Sequence, residues 1–273
     1  MMKLIFDVGV CDGADSAYYL TQAERVVGVE ANPLACQALR ERFAAEIAEG
    51  RYILEEVGVA DTPGELSFWV CDDNPHWSSF RRDIASRQRS RHHEVKVATV
   101  RFETLVGKHG VPDYCKIDIE GHDILCLRHL EPDMAPPYIS VEMDHAGDLI
   151  AEMHRLDYQG FKIISQRTLS PASPPLASVV YSLPDKVKGL VRRADQKFRG
   201  RRYDGDWTFP FGSSGAFAEK TPGRWLPEQP AREVCEALSR LDERHHGHGL
   251  EDWFDIHARR GSPEPPPGDS AHP

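Results

Sequence analysis

The regular alternation of short apolar runs with helical patterns over residues 1–166 is the feature that most restricts the fold. Segments such as KLIFDVG, RVVGVE, YILEEVGVA and YISVEMD predict strands, and several segments between them space their apolar residues as helices do. Alternation of this kind predicts an α/β fold, in which a mainly parallel sheet is covered by helices on both faces.

The helix prediction is clearest at residues 32–50. Asn32 can cap the first turn, Pro33 suits that turn, and Gly50 can end the helix. Apolar residues between these signals recur at helical spacing. We therefore expect one helix over this segment.

The alternating pattern stops after residue 166. Residues 167–250 are rich in proline, serine, glycine and arginine, and LEDWFDIHARR then predicts one more strand. Residues 261–273 contain no core-forming residue and predict a disordered tail. We expect one sheet domain formed by residues 1–166 and 251–260, with residues 167–250 inserted as a cap or substrate region.

Charge and composition exclude several classes of protein. The formal net charge of −10 disfavours general binding to nucleic acid. Six cysteines form no CxxC pair, which argues against a zinc ribbon and a disulfide framework. The chain has no apolar run of membrane-spanning length. Its N-terminal apolar run is too short for a signal peptide, and an acidic residue follows it too early. The expected location is the cytoplasm.

Acidic residues follow several of the predicted strands. Asp7, Glu30, Asp118 and Glu142 each stand where a strand ends. Ligands of parallel α/β sheets bind beyond the carboxyl ends of the strands, so these side chains predict a shared site there. The alternative is that each of them caps the helix that follows.

The loop after the first strand, FDVGVCDG, narrows the choice of ligand. It offers only Gly9 and Gly13, without the GxGxxG of a dinucleotide site or the Gly-Lys-Ser/Thr of a P-loop. The acidic residues Asp7, Asp12 and Asp15 would repel a pyrophosphate, but they suit a cationic ligand rich in hydroxyl groups. S-adenosylmethionine has a sulfonium, an ammonium and a ribose, and Glu30 can accept both ribose hydroxyls.

Five segments in this order resemble the FkbM family of S-adenosylmethionine-dependent methyltransferases: FDVGVCDG, GVEANP, GVAD with GELSFWV, YCKIDIEGHD and ISVE. The resemblance covers residues 3–166. It implies a class I Rossmann-like fold, whose seven-stranded sheet ends in an antiparallel strand, here WFDIHARR after a long insertion. The family's first motif more often reads DVGANDG, so Val10 and Cys11 depart from it.

The resemblance also implies roles for individual residues. Asp7, Gly9, Asp12 and Gly13 would line the methionine end of the cofactor. Glu30 would hold the ribose, with Asn32 nearby, and Asp61 would lie near the adenine. The alternative for Asp61 is an ordinary turn residue before Pro63 and Gly64.

Methyl transfer to a hydroxyl requires in-line positioning and a group that takes the acceptor's proton. The candidates for a direct base are Asp118, Glu142 and His145. Alternatively, Asp118, Glu142 or Asp144 could hold Mg²⁺, which would polarise the hydroxyl. We favour the metal-free mechanism, because the resemblance does not require a metal.

The acceptor is expected to contact Trp77, Ser79, Glu120 and His122. Trp77 could stack on a sugar ring, or it could instead anchor a long loop. His122 and His145 could instead be exposed residues at helix starts. Basic residues at 81–93 and 186–202 favour an anionic or sugar-bearing acceptor, and the resemblance implies a hydroxyl of a glycan or secondary metabolite.

Residues 182–199 predict a basic amphipathic helix, whose apolar stripe comprises Val187, Leu190, Val191, Ala194 and Phe198. It could contact an anionic membrane weakly, or it could be a cap helix packed on the core. Two other functions stay open for the whole chain: an NAD-dependent oxidoreductase on the same kind of sheet, and a non-catalytic binding protein of this fold. The sequence predicts no oligomeric state.

Overall fold

The computed structural model describes residues 1–200, 202–244 and 252–261. The strands are β1 (Met2–Val8), β2 (Ala23–Val29), β3 (Tyr52–Glu55), β4 (Gly58–Val59), β5 (Gly64–Cys71), β6 (His92–Val100), β7 (Tyr114–Ile117), β8 (Tyr138–Glu142), β9 (Tyr158–Ser165), β10 (Ser170–Pro171), β11 (Tyr203–Asp204), β12 (Trp207–Thr208) and β13 (Phe254–Arg260). The α-helices are α1 (Ala14–Gln22), α2 (Pro33–Arg42), α3 (Ala44–Ala48), α4 (Arg82–Ala85), α5 (Phe102–His109), α6 (Leu125–Arg128), α7 (Ala146–Arg155), α8 (Pro174–Tyr181), α9 (Asp185–Phe198) and α10 (Glu228–Arg244).

The main sheet has eight strands in the order β10-β9-β13-β8-β7-β1-β2-β3. The pairs from β8 through β7, β1 and β2 to β3 are parallel, and β13 lies antiparallel between β8 and β9. This is the mostly parallel sheet with an antiparallel last strand that the sequence predicts. The two-residue strand β10 adds an eighth strand at the edge. All four residues of β7 are buried, as expected where helices cover both faces of a parallel sheet.

The predicted third strand, YILEEVGVA, is divided between two sheets. β3 pairs with β2, whereas β4 pairs with β6 in a separate three-stranded sheet of order β4-β6-β5. The chain turns at the exposed Glu56, and the Phe80 ring then packs against Gly58 so closely that a Cβ there would lie 2.2 Å from it. The prediction of one continuous strand was therefore wrong.

The predicted helix at 32–50 forms two consecutive segments, α2 and α3. Asn32 Oδ1 accepts the backbone N–H of Leu34 at 3.1 Å, so the predicted cap is confirmed. The helix is interrupted at Phe43, whose φ of −107° and ψ of 25° are not helical. At this interruption Phe43 is buried, and its ring centroid lies 4.5 Å from that of Tyr52.

Residues 167–244 contribute to the core on both faces of the main sheet. On one face α10 packs against α7 and β9, burying Ala231, Cys235 and Leu238. On the other face Phe217 stacks on Tyr114 of β7, with ring centroids 4.4 Å apart. Much of the segment predicted as a cap therefore supports the sheet, and only part of it reaches the site described below.

Helix α9 exposes most of its apolar stripe. Val187, Leu190 and Phe198 are exposed, whereas Val191 is half-buried. Among the described residues, no helix is both long enough and apolar enough to cross a lipid bilayer. The predicted tail at 261–273 lies outside the described residues except for Gly261.

Candidate functional site

A cavity of about 1200 Å³ opens at the carboxyl ends of β1, β2, β7 and β8. This is the edge of the sheet at which the sequence predicts a site. Its walls include many of the predicted residues: Gly9, Asp12, Glu30, Trp77, Asp118, Glu120 and Glu142. Asp7, Gly13, Asn32, Ser79 and His122 are not part of the wall and contact its residues or their neighbours.

The loop from Gly9 to Gly13 is a tight turn, and at Gly9 it passes close to the backbone of Asp118. Gly9 has a φ of +84°, and a Cβ there would lie 1.7 Å from the carbonyl oxygen of Asp118. Gly13 has a φ of +79°, and its N–H donates to the Val10 carbonyl at 3.0 Å. Between them Cys11 also has a left-handed φ, of 52°. Asp12 accepts the Ala14 N–H at 2.8 Å, at the start of α1.

Glu30 connects this loop to the end of β2. One of its carboxylate oxygens accepts the Cys11 N–H at 2.8 Å, and the other accepts the Asn32 N–H at 2.7 Å. The side chain lines the cavity although it is largely buried. Burial raises the pKa of Glu30, and the two amide hydrogen bonds oppose that rise. Each carboxylate oxygen keeps a second lone pair that a ligand hydroxyl can use.

Asp7 and Lys116 form a buried pair beneath the loop. The Lys116 ammonium lies 3.5 Å from a carboxylate oxygen of Asp7 and 3.5 Å from one of Asp118. Burial lowers the pKa of Lys116, but the surrounding carboxylates outweigh it and hold that pKa well above its ordinary value. Burial raises the pKa of Asp7 to about 6, and Ser16 donates to its second oxygen at 2.6 Å.

Asp118, Glu120 and Glu142 converge at one end of the cavity. One carboxylate oxygen from each lies within 4.8 Å of the others. Burial, followed by repulsion from Asp118 and Glu120, raises the pKa of Glu142 well above its ordinary value. Burial and Asp118 raise the pKa of Glu120 to about 8, although Arg87 opposes them. At neutral pH this cluster therefore retains at least one proton, and it can exchange protons with a ligand.

Several contacts hold Glu120 in place. Its φ is +51°, a strained conformation for a residue with a side chain. Ser79 is buried and donates to the Glu120 carbonyl at 2.8 Å, and Arg87 lies 3.2 Å from the Glu120 carboxylate. Asp123 accepts the N–H groups of Ile119 and Gly121 on either side. Ser79, predicted as a substrate contact, is thus positioned to orient the backbone of the cluster.

Three further predicted residues lie away from the cavity wall, whereas His122 lies behind Phe80, which lines it. Asp61 follows β4 in the small sheet and lies 2.7 Å from the His129 imidazole. Asp144 is 42% exposed and lies 4.0 Å from Arg81, so Glu120 takes its place in the acidic cluster. His145 is 73% exposed and borders a groove between α7 and α10. His122 stacks on Phe80, with ring centroids 5.2 Å apart.

Part of the cavity wall comes from distant segments that no sequence pattern indicated. Asp15 accepts hydrogen bonds from the Ser213 hydroxyl and, at 3.1 Å, from the Ser214 N–H. These bonds join α1 to residues 211–213, which border the cavity with Gln166 and Arg167. Lys116 was also missed, although strand alternation indicates that it shares a face with Asp118.

Chemically, the cavity wall combines two different parts. One part has a glycine turn, a carboxylate at the end of β2 and the apolar groups of Val57, Val59 and Phe68. Another part of the wall has three converging carboxylates, and the half-buried Trp77 also lines the cavity. The first suits a ligand with hydroxyl and aromatic parts, and the second can accept a proton from a polar group brought next to it.

Comparison with solved structures finds matches at low sequence identity and low structural similarity. Methyltransferase FkbM from Methylobacillus flagellatus is 17% identical with a TM-score of 0.40, and the match covers 58% of this chain and 39% of that one. An O-methyltransferase from a trans-AT PKS multienzyme of Brevibacillus brevis, in complex with S-adenosylhomocysteine, is 7% identical with a TM-score of 0.37. That match covers 96% of this chain and 67% of the other. A methyltransferase from Thiobacillus denitrificans, also in complex with S-adenosylhomocysteine, is 12% identical with a TM-score of 0.34. That match covers 95% of this chain and 85% of the other.

The chain thus spans 39% of the length of the Methylobacillus flagellatus protein. No curated protein matches the sequence. The model of the methyltransferase FkbM domain matches residues 7–163, more than half of the 273 residues and nearly all of the segment that carries the five motifs. The chain belongs to the FkbM methyltransferase domain family.

Proposed function

We propose that this protein is an S-adenosylmethionine-dependent O-methyltransferase that acts on a hydroxyl of a saccharide or secondary metabolite. The observation that carries the proposal is that a single cavity contains both the glycine turn with Glu30 and the cluster of Asp118, Glu120 and Glu142. A volume of about 1200 Å³ accommodates a cofactor and an acceptor side by side.

In the proposed complex the cofactor lies along the ends of β1 and β2. Asp12 and Asp15 supply negative charge near the glycine turn, which favours the ammonium and sulfonium groups. Glu30 receives the ribose hydroxyls through its remaining lone pairs. The adenine ring lies against Val57, Val59 and Phe68, which line the cavity, whereas Asp61 does not line it.

The acceptor hydroxyl lies beside the acidic cluster. Its oxygen attacks the methyl carbon of the sulfonium, so that a C–O bond forms as the C–S bond breaks and S-adenosylhomocysteine leaves. The hydroxyl proton passes to a carboxylate of the cluster, where a pKa of Glu120 near 8 suits a proton acceptor that works at neutral pH. This route uses side chains alone and requires no Mg²⁺.

Calorimetry with S-adenosylhomocysteine tests the cofactor site. We expect Glu30→Ala to weaken binding by about 1–3 kcal/mol, on the scale of losing hydrogen bonds to a charged group. Glu55→Ala is the matched control, because Glu55 ends the neighbouring strand β3 without lining the cavity. Unchanged affinity in Glu30→Ala would refute the assignment, and tight binding of NAD instead would favour the oxidoreductase.

Transfer of labelled methyl groups to a panel of saccharides and hydroxylated metabolites tests the chemistry. We expect activity that persists in EDTA and falls by roughly 100-fold or more in Glu120→Gln, on the scale of losing the general base named above. Loss of activity in EDTA with recovery in Mg²⁺ would replace the metal-free route. Bound cofactor without transfer to any acceptor would favour a non-catalytic binding protein.

A further inference from the structure

We infer that the acceptor carries a negatively charged group and that this group binds in a second cavity beside the first. The second cavity has a volume of about 250 Å³ and is lined by Arg167, Arg192, Arg193 and Arg202. We call it the arginine cavity. The inference that an anion binds here is argued from the residues that line this cavity. The inference that the cavity is part of the acceptor site rests on the proposed function.

The lining of the arginine cavity matches an anionic group. Among the described residues, no aspartate or glutamate lines it, although the chain as a whole has a formal charge of −10. Thr168, Gln166 and Gln196 add polar groups, and Phe209 and Phe211 make part of the wall apolar. Guanidinium groups bind phosphate, sulfate or carboxylate with paired hydrogen bonds, which strengthen where apolar walls exclude water.

Two acidic side chains lie near these arginines, and Asp252 interacts electrostatically with Arg192 and Arg167. Asp195 accepts a hydrogen bond from the Ser170 hydroxyl at 2.5 Å and pairs with Arg199 at 2.9 Å. Asp195 and Asp252 line a separate cavity, which Arg192 also borders. Arg193 and Arg202 do not line the cavity of Asp195 and Asp252. Replacing these two arginines therefore tests the arginine cavity alone.

The two cavities adjoin, so one molecule can occupy both. Gln166, Arg167 and Phe211 belong to both walls. Gln166 is held in place because it donates to Asp255 at 2.7 Å, and Asp255 pairs with Glu142 across β13 and β8. The arginines and the acidic cluster therefore line two adjoining cavities that share Gln166. An acceptor with a hydroxyl at one end and an anionic group at the other is oriented by this charge difference.

Calorimetric titration of inorganic pyrophosphate into the full chain at low salt tests the inference. We expect binding that weakens about tenfold in Arg193→Ala and in Arg202→Ala, on the scale of one charged hydrogen bond. Lys197→Ala is the matched control, because it removes one positive charge from α9, the helix of Arg193, without touching the cavity. Unchanged melting temperatures and S-adenosylhomocysteine affinities verify that the variants are folded.

The outcomes separate this inference from the proposed function. Equal pyrophosphate affinity in the wild type and in the double variant Arg193→Ala/Arg202→Ala overturns the inference, as does the absence of binding to the wild type. If S-adenosylhomocysteine still binds in either case, the proposed function stands. If pyrophosphate binding depends on the arginines but no cofactor binds, the anion site stands and its role in acceptor binding fails.

A second inference rests on the exposed face of α9. We propose that this helix lies on the surface of an anionic bilayer. Leu190 is 62% exposed and Phe198 is 80% exposed, and with Val187 they recur at helical spacing along one side. Lys186 and Lys197 are exposed on the same helix. Apolar side chains bordered by lysine suit the boundary between acyl chains and negatively charged headgroups.

Sedimentation with vesicles tests this second inference. We expect the protein to sediment with vesicles of phosphatidylcholine and phosphatidylserine, and not with phosphatidylcholine alone. Leu190→Ser/Phe198→Ser should abolish sedimentation, whereas Leu34→Ser, which removes an equally exposed leucine from α2, should not. Sedimentation that survives the double substitution, or that never occurs, overturns the inference.

Discussion

The Lys116 ammonium donates a hydrogen bond to the carbonyl oxygen of Gly9 at 2.8 Å, and it thereby ties the middle of the sheet to the turn that follows β1. The same ammonium neutralises Asp7, whose carboxylate is fully buried. Lys116 therefore connects the charge balance of the core to the shape of the candidate cofactor loop.

Replacing Lys116 with methionine should destabilise the protein by about 3–5 kcal/mol, because it leaves the Asp7 charge buried without a partner. Denaturation in urea measures the loss. Lys108→Met is the control, since Lys108 is 58% exposed in its pair with Glu55 and its loss should cost at most about 1 kcal/mol. Adding Asp7→Asn to Lys116→Met should restore part of the stability; no recovery would contradict the assigned charge pair.

Alanine at Gly9 should prevent the turn from forming. The new Cβ would meet the Asp118 carbonyl oxygen at 1.7 Å, so β1 and β7 would have to separate at the site. Gly50→Ala is the matched control, because Gly50 also has a positive φ but has no atom within 4 Å of the added Cβ. We expect Gly50→Ala to cost about 1–2 kcal/mol from backbone strain alone.

Gly9→Ala should be more destabilising than Gly50→Ala in thermal melting and should abolish the binding of S-adenosylhomocysteine. Equal melting temperatures in the two variants would show that the backbone contact between Gly9 and Asp118 is not close.

The stability of the protein should fall as pH rises from about 4.5 to 8 because of Glu120. Its pKa is raised to about 8 in the folded protein from an ordinary 4.5, so between these values the folded chain holds a proton that the unfolded chain has released. The free energy of unfolding then decreases with pH, at up to about 1.4 kcal/mol per pH unit for one group. Glu120→Gln should flatten this dependence.

Urea denaturation between pH 4.5 and 8 measures that slope. Asp83→Asn is the control, because Arg81 lowers the pKa of Asp83 and its titration falls below the window. An identical slope in the wild type and in Glu120→Gln would contradict the contribution of Glu120.

Cys11→Asn should stabilise the loop. Cys11 has a φ of 52°, and asparagine adopts this left-handed conformation more readily than other residues with side chains. We expect a gain of about 0.5–1 kcal/mol in urea denaturation, whereas Cys11→Ala should give none. S-adenosylhomocysteine affinity should be retained, because the Cys11 N–H still donates to Glu30. A loss of stability in Cys11→Asn would mean that the thiol contact with His76 at 3.4 Å outweighs the backbone preference.

The site residues that lie at the carboxyl ends of parallel strands could be predicted from the sequence. The carboxyl ends of parallel strands meet at one edge of a sheet, so the positions of Glu30, Asp118 and Glu142 in the chain were enough to bring them to one cavity. The last strand could also be predicted, because an apolar pattern resumes in LEDWFDIHARR after a long interruption, whereas its antiparallel direction was implied only by the resemblance to the FkbM family.

Side chains beyond those strand ends could not be placed in the same way. Asp61 follows a strand, but that strand belongs to the small sheet, and apolar periodicity does not say which sheet a short strand joins. His145 starts α7 with a left-handed φ of 49°, which directs it away from the cavity. The arginine cavity joins segments that are far apart in the chain, and no local pattern encodes that contact.

The position of β13 between β8 and β9 governs when the sheet can be completed during synthesis. β8 and β9 follow each other in the chain, yet each pairs with β13 instead of with the other. Until residues 254–260 have left the ribosome, both strands present open edges to neighbouring chains. The last pairing joins strands that are far apart in the chain, and it is expected to form slowly. A chain interrupted before β13 therefore has its cofactor loop but a divided sheet, and it is prone to aggregate.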